Sequence, residues 1–282
     1  MKTLVCGMPV GPDEDRGIKF AINCIDISLK RASSSVHTVW HLMLDPLIDN
    51  NENKKKFIDL FGDRIKFFSL EKDSALKRVK DKCGDVHGHL LDALAQTADS
   101  EYFCIHDSDI VFLKKNWDEY LIDLFESDKD LIVVGPESPL SDGWRNVPTS
   151  MIVAFKTHDF KQLGITLNKT YSSLSKFLNA GINARGFVTV DKNNQKYWNR
   201  ELGAKVYLET GYELVPALVD SGKKWITLKT KLGDNKTQWY YDLDNKLFAS
   251  HMTGSFVRPW GSNVRKLWSE RIEKEIEEES SI

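Results

Sequence analysis

Apolar residues along this chain follow two alternating patterns. Short continuous apolar runs that end at Gly, Pro or Asp predict buried strands, whereas apolar residues three and four positions apart predict amphipathic helices. In the first half, the predicted strands are residues 3–10, 36–44, 65–70 and 102–105. The predicted helices between them are residues 20–31, 51–61 and 87–97. This alternation predicts an α/β fold, with a mainly parallel twisted sheet flanked by helices.

The second half of the chain is less regular and predicts a mixed arrangement. Short apolar runs typical of strands occupy residues 131–134, 150–155 and 248–251. Residues 208–219 and 264–278 have helical spacing, although Pro216 disfavours an unbroken helix in the first segment. Because no Pro-, Gly- or Ser-rich linker divides the chain, we expect a single domain over residues 1–282. Its expected parts are two halves, at about 1–110 and 111–260, and a C-terminal helix and tail at 261–282.

Charge and hydropathy narrow the class of protein. The chain carries 39 Lys and Arg against 41 Asp and Glu, a formal net charge of −2. This balance does not indicate nucleic-acid binding, and no polybasic patch is present. The apolar runs are too short to span a bilayer, and the first residues lack the cleavage site of a signal peptide. We expect a cytoplasmic protein with no transmembrane segment, which is compatible with loose peripheral membrane association.

The cysteines agree with a reducing compartment. Four are present, at Cys6, Cys24, Cys83 and Cys104. Most lie in apolar or amphipathic segments, where a reduced and buried thiol is expected. Cys83, His87 and His89 lie close together in the sequence, but no fourth ligand of a structural zinc site accompanies them. We therefore expect no zinc there.

The segment EYFCIHDSDIVF, residues 101–112, is the strongest candidate for chemistry. Asp107 and Asp109 follow a predicted buried strand, and residues two apart in an extended chain project to the same side. Open α/β sheets bind ligands at the carboxyl ends of their strands. Neighbouring carboxylates repel unless a cation lies between them, and Mg²⁺ and Mn²⁺ prefer oxygen ligands. The motif predicts a divalent metal site; the alternative is that Asp107 caps a turn and Asp109 faces solvent.

With this motif, the chain resembles the metal-dependent GT-A glycosyltransferases, family 2-like, whose signature is an apolar strand that ends in D-x-D. Three further segments follow the order of that family: HGHLLDALAQTADSEY before the motif, LETGYELVPALVDSG at 208–222 and LFASHMTGSF at 247–256. The resemblance covers about residues 3–256. It implies one Rossmann-like domain with a nucleotide-binding half and an acceptor half. It also implies a nucleotide-diphosphate-sugar donor, a glycan or other hydroxyl acceptor, and Mn²⁺ or Mg²⁺.

The resemblance assigns donor contacts to strand ends and later loops. The backbone of Pro9, Val10 and Gly11 would shape the pocket for base and ribose, and Asp45 would hydrogen-bond one of them. Each of these residues also fits an ordinary strand-to-loop turn, since Asp before Pro is a common turn former. The helix that carries His89 would pack beside the nucleotide. The further candidate donor contacts are Ser108 and Arg258. Trp144 lies in the long loop 135–148, where an aromatic side chain with polar neighbours suits stacking on the acceptor or the donor sugar.

The resemblance also implies the metal ligands and a base. Asp109 would bind the metal directly, Asp107 would reach the metal or the ribose through water, and His251 would complete the ligand set. In inverting members a carboxylate takes the acceptor's proton; Glu209 is the first candidate here and Glu213 the second. Many inverting members have two adjacent acids at this place, whereas Thr-Gly-Tyr separates these glutamates. Inversion and retention therefore both stay open.

Two other classes of protein fit parts of the pattern. Haloacid dehalogenase-like phosphatases also carry D-x-D-x-[TV] after a strand, and residues 107–111 match it. Their nucleophile normally follows the first strand of the core, however, and Gln238 stands where a second aspartate is expected after Gly233-Asp234. A non-catalytic sugar- or nucleotide-binding protein on the same fold would bind its ligand without turnover.

Overall fold

A ten-stranded sheet forms the centre of the computed structural model. The structure describes residues 1–12, 17–69, 86–137, 148, 152–167, 170–173, 189–190, 196–197, 205–208, 214–233, 237–252 and 262–280. The strands of the sheet are β1 (Lys2–Val10), β2 (Val36–Leu44), β3 (Ile65–Phe68), β4 (Tyr102–His106), β5 (Ile110–Phe112), β6 (Leu131–Pro136), β7 (Ile152–Lys156), β12 (Lys224–Leu232), β13 (Gln238–Tyr241) and β14 (Leu247–His251). Two small two-stranded sheets pair β8 (Thr170–Ser173) with β11 (Lys205–Leu208), and β9 (Thr189–Val190) with β10 (Lys196–Tyr197).

Helices connect and flank these strands. Among the described residues they are α1 (Lys19–Arg31), α2 (Asn51–Phe61), α3 (Val86–Thr97), α4 (Trp117–Ser127), α5 (Thr157–Gln162), α6 (Leu214–Ser221) and α7 (Ser262–Ser280), with a 3₁₀ turn at Gly62–Arg64. The α2 helix has the sequence features of a capped helix: the Asn53 amide donates a hydrogen bond to Oδ1 of the N-cap residue Asn50. None of the described helices is long and apolar enough to cross a membrane.

The sheet is parallel in its first part and mixed in its second. The strand order is β3-β2-β1-β4-β7-β6-β12-β13-β14-β5, and β1 to β4 all run in the same direction. The β7 strand is antiparallel to both of its neighbours, β4 and β6. The predicted fold class is therefore confirmed: a mainly parallel Rossmann-like half is followed by a mixed C-terminal half.

The central strands are buried on both faces. Even-numbered residues of β1, from Leu4 to Val10, pack in one hydrophobic cluster with α1 and α4. The odd-numbered Val5 packs on the other face with Leu91 and Ala95 of α3. This period of two explains why the first strands are nearly continuous apolar runs, because each side chain meets a layer of helices. Because β1 pairs in parallel with both β2 and β4, the carboxyl ends of the three strands lie along one edge of the sheet.

The sheet curls so that its far edge returns to β4. Residues 107–109 alone join β4 to β5, yet the strand order places five strands between them. A connection of this length spans at most about 14 Å, whereas six flat strand spacings would extend roughly 29 Å. The curl therefore brings β14, the partner of β5, next to the end of β4.

Some sequence-based predictions of elements need correction. The helix predicted over residues 208–219 is wrong at Leu208, which ends β11, and is confirmed from Leu214 onward; residues 209–213 lie outside the described part. The predicted strand 65–70 ends at Phe68. The β5, β12 and β13 strands were not predicted, because β5 has three residues and β12 is rich in charged and polar residues. The α4 helix was also missed, although its apolar residues have helical spacing.

Candidate metal centre

Two carboxylates and one imidazole converge at the carboxyl end of β4. One ligand atom from each of Asp107, Asp109 and His251 lies within 4.8 Å of the others. His251 Nε2 is 3.0 Å from Asp109 Oδ1 and 3.8 Å from Asp107 Oδ2. The Asp109 and His251 side chains are almost fully buried, whereas Asp107 is 21% exposed. Asp107 is thus the member of the cluster that faces outward.

The strand register explains why His251 meets the D-x-D motif. His251 in β14 pairs with Ile110, the residue that follows Asp109. The amide of Met252 donates a hydrogen bond of 3.1 Å to the carbonyl of Asp109, which extends the pairing by one step. Backbone hydrogen bonds between two antiparallel strands therefore bring His251 next to the motif, although the two are far apart in the sequence.

The backbone geometry of the motif differs from the extended chain assumed in the sequence argument. Residues 107–109 form a turn, in which the amide of Ile110 donates to the carbonyl of Asp107 at 3.3 Å. The two carboxylates nevertheless reach the same histidine. Their convergence comes from this turn and from the curl of the sheet, and the alternation of side chains along a strand does not produce it.

A tyrosine and a glutamine orient the imidazole of His251. The Tyr240 hydroxyl donates to Gln238 Oε1 at 2.7 Å, and the Tyr240 hydroxyl oxygen lies 3.2 Å from His251 Nδ1. Since the single tyrosine proton goes to Gln238, His251 donates from Nδ1 to Tyr240, and a neutral ring then has a bare Nε2. Burial, followed by the charges of Asp107 and Asp109, raises the pKa of Tyr240 well above 10.0, so its hydroxyl keeps that proton.

This hydrogen bonding is the observation that tests whether a metal fits. When Nδ1 donates to Tyr240, the lone pair of the neutral imidazole is on Nε2, which lies 3.0 Å from Asp109 Oδ1. The two groups form an ion pair when the ring is protonated, and a cation that binds both atoms would take the place of that proton. Two carboxylate oxygens and one imidazole nitrogen are a suitable donor set for Mn²⁺. A second hydrogen bond at Nδ1 is the usual way in which proteins orient a ligating histidine. The residues present therefore fit a divalent metal.

The expected base and ribose contacts lie on the same edge of the sheet. Pro9 and Val10 end β1, Gly11 follows them, and the amide of Asp45 donates to the Val10 carbonyl at 2.9 Å. Asp45 Oδ1 accepts a hydrogen bond of 2.9 Å from the amide of Leu47, as expected of a turn former. Burial raises the pKa of the Asp45 carboxyl. The structure thus brings these residues to adjacent parallel strand ends, with Asp45 engaged in its own turn.

Other predicted site residues are partly described or lie outside the described residues. His89 is half-buried in the first turn of α3, next to Leu90, which packs on Met43 near the carboxyl end of β2. Ser108 is buried within the turn, and its hydroxyl has no hydrogen-bond partner among the described residues. The predicted residues outside the described part are Trp144, Glu209, Glu213 and Arg258.

Four residues of the site were not anticipated from the sequence. Two of them, Tyr240 and Gln238, stand two apart on one face of β13. The other two, Trp40 and His106, lie on β2 and β4 behind the turn. In QWYY, residues two apart share one face of a strand, so the sequence indicates that Gln238 and Tyr240 lie side by side. The sequence does not show that this strand pairs with the strand that carries His251. Nothing in the sequence distinguishes the second pair from ordinary core residues.

A separate cleft lies elsewhere and is not the candidate site. It has a volume of about 490 Å³ and is lined by residues at the amino ends of β1, β2 and β4, including Lys2, His37 and Tyr102. Acidic and basic side chains share its walls. Ligands of open α/β sheets bind at the opposite, carboxyl ends of the strands, so the aspartate–histidine cluster is the candidate site.

Comparison with known proteins finds glycosyltransferases at low similarity. No family model matches this chain, and no curated protein matches it significantly. One similar structure is the mannosyltransferase PcManGT from Pyrobaculum calidifontis in complex with GDP-Man and Mn²⁺, at 11% identity and a TM-score of 0.41, with 57% of this chain and 46% of that chain covered. Another is Staphylococcus aureus TarS in complex with UDP-GlcNAc, at 16% identity and a TM-score of 0.41, with 59% of this chain and 48% of that chain covered.

A third similar structure is mouse xyloside xylosyltransferase 1 in its apo form. It has 11% identity and a TM-score of 0.41, with 57% of this chain and 69% of that chain covered. The matched region spans less than half the length of the first two structures.

Proposed function

We propose that this protein transfers a sugar from a nucleotide-diphosphate donor to an acceptor hydroxyl, with a divalent metal at Asp107, Asp109 and His251. The observation that carries the proposal is the position of this cluster. It lies at the carboxyl ends of parallel strands, beside the ends of β1 and β2, where an open α/β sheet binds a nucleotide. An anionic donor and two carboxylates share such a site only when a cation joins them.

The chain supplies three ligand atoms and leaves other coordination positions to donor and water. Asp109 and His251 would hold the metal from the buried side, while the partly exposed Asp107 would face the donor. The mixed oxygen and nitrogen set favours Mn²⁺ over Mg²⁺, which takes oxygen ligands almost exclusively. When bound, the metal would act as a Lewis acid that neutralises charge on the departing diphosphate.

The donor would lie across the ends of β1 and β2. The backbone of Pro9, Val10 and Gly11 would contact base and ribose, and Asp45 would contribute through its turn. The GT-A resemblance adds His89 beside the nucleotide and Ser108 in the D-x-D turn as a donor contact. Trp144 would stack on the acceptor or the donor sugar, and Arg258 would contact the departing diphosphate.

In the proposed reaction, the acceptor oxygen forms a bond to the anomeric carbon of the donor sugar. The bond from that carbon to the diphosphate oxygen breaks, and the nucleoside diphosphate leaves with the electron pair. In an inverting reaction, the acceptor proton passes to a carboxylate on the opposite face of the sugar. Glu209 and, second, Glu213 are the candidates for this base, from the resemblance alone.

The test is donor binding followed by turnover. Thermal unfolding is measured with UDP-, GDP-, CMP- and dTDP-sugars, with and without Mn²⁺, for the wild type, Asp109→Asn and the exposed control Asp59→Asn. A donor at a hundred times its dissociation constant adds about 2.7 kcal/mol to the free energy of unfolding. We expect an upward shift of a few degrees for one nucleotide, dependent on Mn²⁺, lost in Asp109→Asn and kept in the control.

Release of nucleoside diphosphate from the bound donor then separates the alternatives. Metal-dependent release in the presence of a hydroxyl acceptor supports transfer. Binding without release would favour a sugar- or nucleotide-binding protein. The absence of any shift, together with hydrolysis of p-nitrophenyl phosphate, would contradict the proposal in favour of a phosphatase.

A further inference from the structure

A chain of hydrogen bonds runs behind the D-x-D turn, away from the metal ligands. The indole Nε1–H of Trp40 lies 3.1 Å from His106 Nε2, and His106 Nδ1 lies 2.9 Å from the carbonyl oxygen of Asp107. Trp40 and His106 are both buried. These hydrogen bonds therefore link β2, through His106 at the end of β4, to the backbone of the first aspartate of the motif.

The direction of these hydrogen bonds follows from the groups themselves. An indole N–H only donates, so His106 Nε2 is the acceptor and carries no hydrogen. The proton of the neutral ring is then on Nδ1, where it donates to the Asp107 carbonyl. The indole N–H of Trp40 thus sets the donor and acceptor roles in both hydrogen bonds.

The His106 ring has little freedom to turn away from this arrangement. It meets Phe112 edge-on at 5.2 Å and Trp40 at 6.5 Å. Phe112 in turn stacks on Trp117 at 3.8 Å, and Trp117 Nε1 donates to the Ser28 carbonyl at 2.9 Å. The aromatic walls hold the ring in one plane, because rotation would require several buried side chains to move together.

The Asp107 carbonyl consequently accepts two hydrogen bonds, from His106 Nδ1 and from the amide of Ile110. Together they orient the peptide group that opens the turn. The direction of the Asp107 side chain depends on this peptide, since Cα and carbonyl belong to the same residue. A change at His106 would therefore move a carboxylate that it does not itself contact.

We propose that Trp40 and His106 are positioning residues that set the affinity of the D-x-D turn for a divalent cation. The inference rests on the metal site of the proposed function and adds two residues that touch neither metal nor donor. Loss of a hydrogen bond that orients a ligand typically weakens metal binding 10- to 100-fold, roughly. The predicted effect is on affinity for the metal itself, before any sugar is transferred.

Two substitutions of His106 separate positioning from packing. His106→Asn keeps an amide N–H near the place of Nδ1, so it can still donate to Asp107. His106→Gln places its polar group near Nε2, so it can accept from Trp40 but loses the donor to Asp107. The control is His41→Gln, which alters another buried histidine, on β2, that has no contact with the turn.

Mn²⁺ binding is measured by the loss of the free-ion electron paramagnetic resonance signal, with circular dichroism to establish folding. We expect His106→Gln to weaken Mn²⁺ binding about 10-fold or more, and His106→Asn and His41→Gln to remain within about threefold of wild type. Equal effects of the two His106 variants, or no effect of either, would overturn the positioning role while the metal site stands. A wild type that binds no Mn²⁺ would overturn both.

Discussion

Each histidine at this site directs one ring nitrogen toward the D-x-D turn, and the contact made by its other ring nitrogen fixes that orientation. His251 directs Nε2 toward the two aspartates because its Nδ1 contacts Tyr240. His106 donates to Asp107 because its other nitrogen accepts from Trp40. In both cases the chemical role of a histidine is set by a neighbour on another strand. This has direct consequences for substitutions of those neighbours.

Tyr240→Phe removes the oxygen that contacts His251 Nδ1 and leaves the ring in place. The imidazole can then turn or change tautomer, so we expect Mn²⁺ to bind about 10-fold more weakly. The matched control is Tyr241→Phe, on the adjacent and oppositely facing position of β13, which should leave affinity unchanged. Titration calorimetry with Mn²⁺ measures both. Unchanged affinity in Tyr240→Phe would show that the hydroxyl does not orient the ligand.

His41 provides a residue-scale prediction about pH. The ring is fully buried, its Nδ1 lies 3.0 Å from Thr97 Oγ1, and Phe68 and Phe103 pack against it. Desolvation lowers the pKa of His41 from 6.5 to about 4. Asp99, whose carboxylate lies 3.8 Å from Nε2, opposes this shift, and the charge of Lys66 reinforces it.

The sign of the pH effect follows from this lowered pKa. Between pH 6.5 and about 4 the unfolded chain binds a proton at His41 that the folded chain does not, so the free energy of unfolding falls as pH falls. The slope for one proton is at most about 1.4 kcal/mol per pH unit. His41→Asn keeps a donor near Nδ1 and removes the titration. Urea unfolding at pH 7.5 and 5.0 should show a smaller loss in this variant; parallel losses would contradict the prediction.

At the scale of elements, the turn between β13 and β14 fixes the strand that carries His251. Asp242 is buried, and its Oδ1 accepts from the amides of Asp244 and Lys246 at 2.9 and 2.8 Å. Its Oδ2 lies 2.7 Å from Lys114 Nζ, just beyond β5. One carboxylate thereby closes the hairpin and ties it to β5, the other neighbour of β14.

Asp242→Ala should destabilise the protein by about 3 kcal/mol, because it leaves a half-buried lysine and two turn amides without their acceptor. Asp244→Ala is the control, since this neighbouring carboxylate is exposed and the turn uses only its amide. The free energy of unfolding in urea measures both. A loss below about 1 kcal/mol for Asp242→Ala would mean that the pair contributes no more than a surface ion pair.

At the scale of the whole molecule, the C-terminal helix α7 joins the two ends of the chain. Trp268 is buried in a hydrophobic cluster with Cys24, Val111 and Met252, and stacks on Phe20 at 5.4 Å. Its indole N–H donates to Ser250 Oγ at 2.9 Å, next to His251. The helix therefore covers the strands that form the metal site from the side opposite the imidazole.

Trp268→Ala removes this contact and leaves a large cavity, so we expect a loss of about 3–5 kcal/mol in the free energy of unfolding. Leu267→Ala, at the adjacent exposed position, should change it by less than about 0.5 kcal/mol. Chemical denaturation, followed by far-ultraviolet circular dichroism because one variant lacks a tryptophan, compares the free energies of unfolding of the two variants. Equal effects would show that α7 does not pack on the sheet as described.

The alternation of apolar runs and amphipathic segments was sufficient to predict the parallel half of the fold. Strands that are buried on both faces must be apolar along their length, and this local requirement is visible in residues 3–10 and 36–44. The same reasoning located the aspartates at the end of β4. It failed for β5, which has only three residues, and for β12, whose many charged and polar residues give no clear apolar period.

The sequence by itself determined the fold class, the carboxylate pair and a resemblance that pointed to His251. Only the tertiary structure decided how these residues meet, through the curl of the sheet and the β5–β14 register. It also decided which neighbours orient them, since Tyr240 and Gln238 lie on β13 and His106 lies on β4. The physical reason is that burial leaves a local periodic signature in sequence, whereas hydrogen bonds between distant strands leave none.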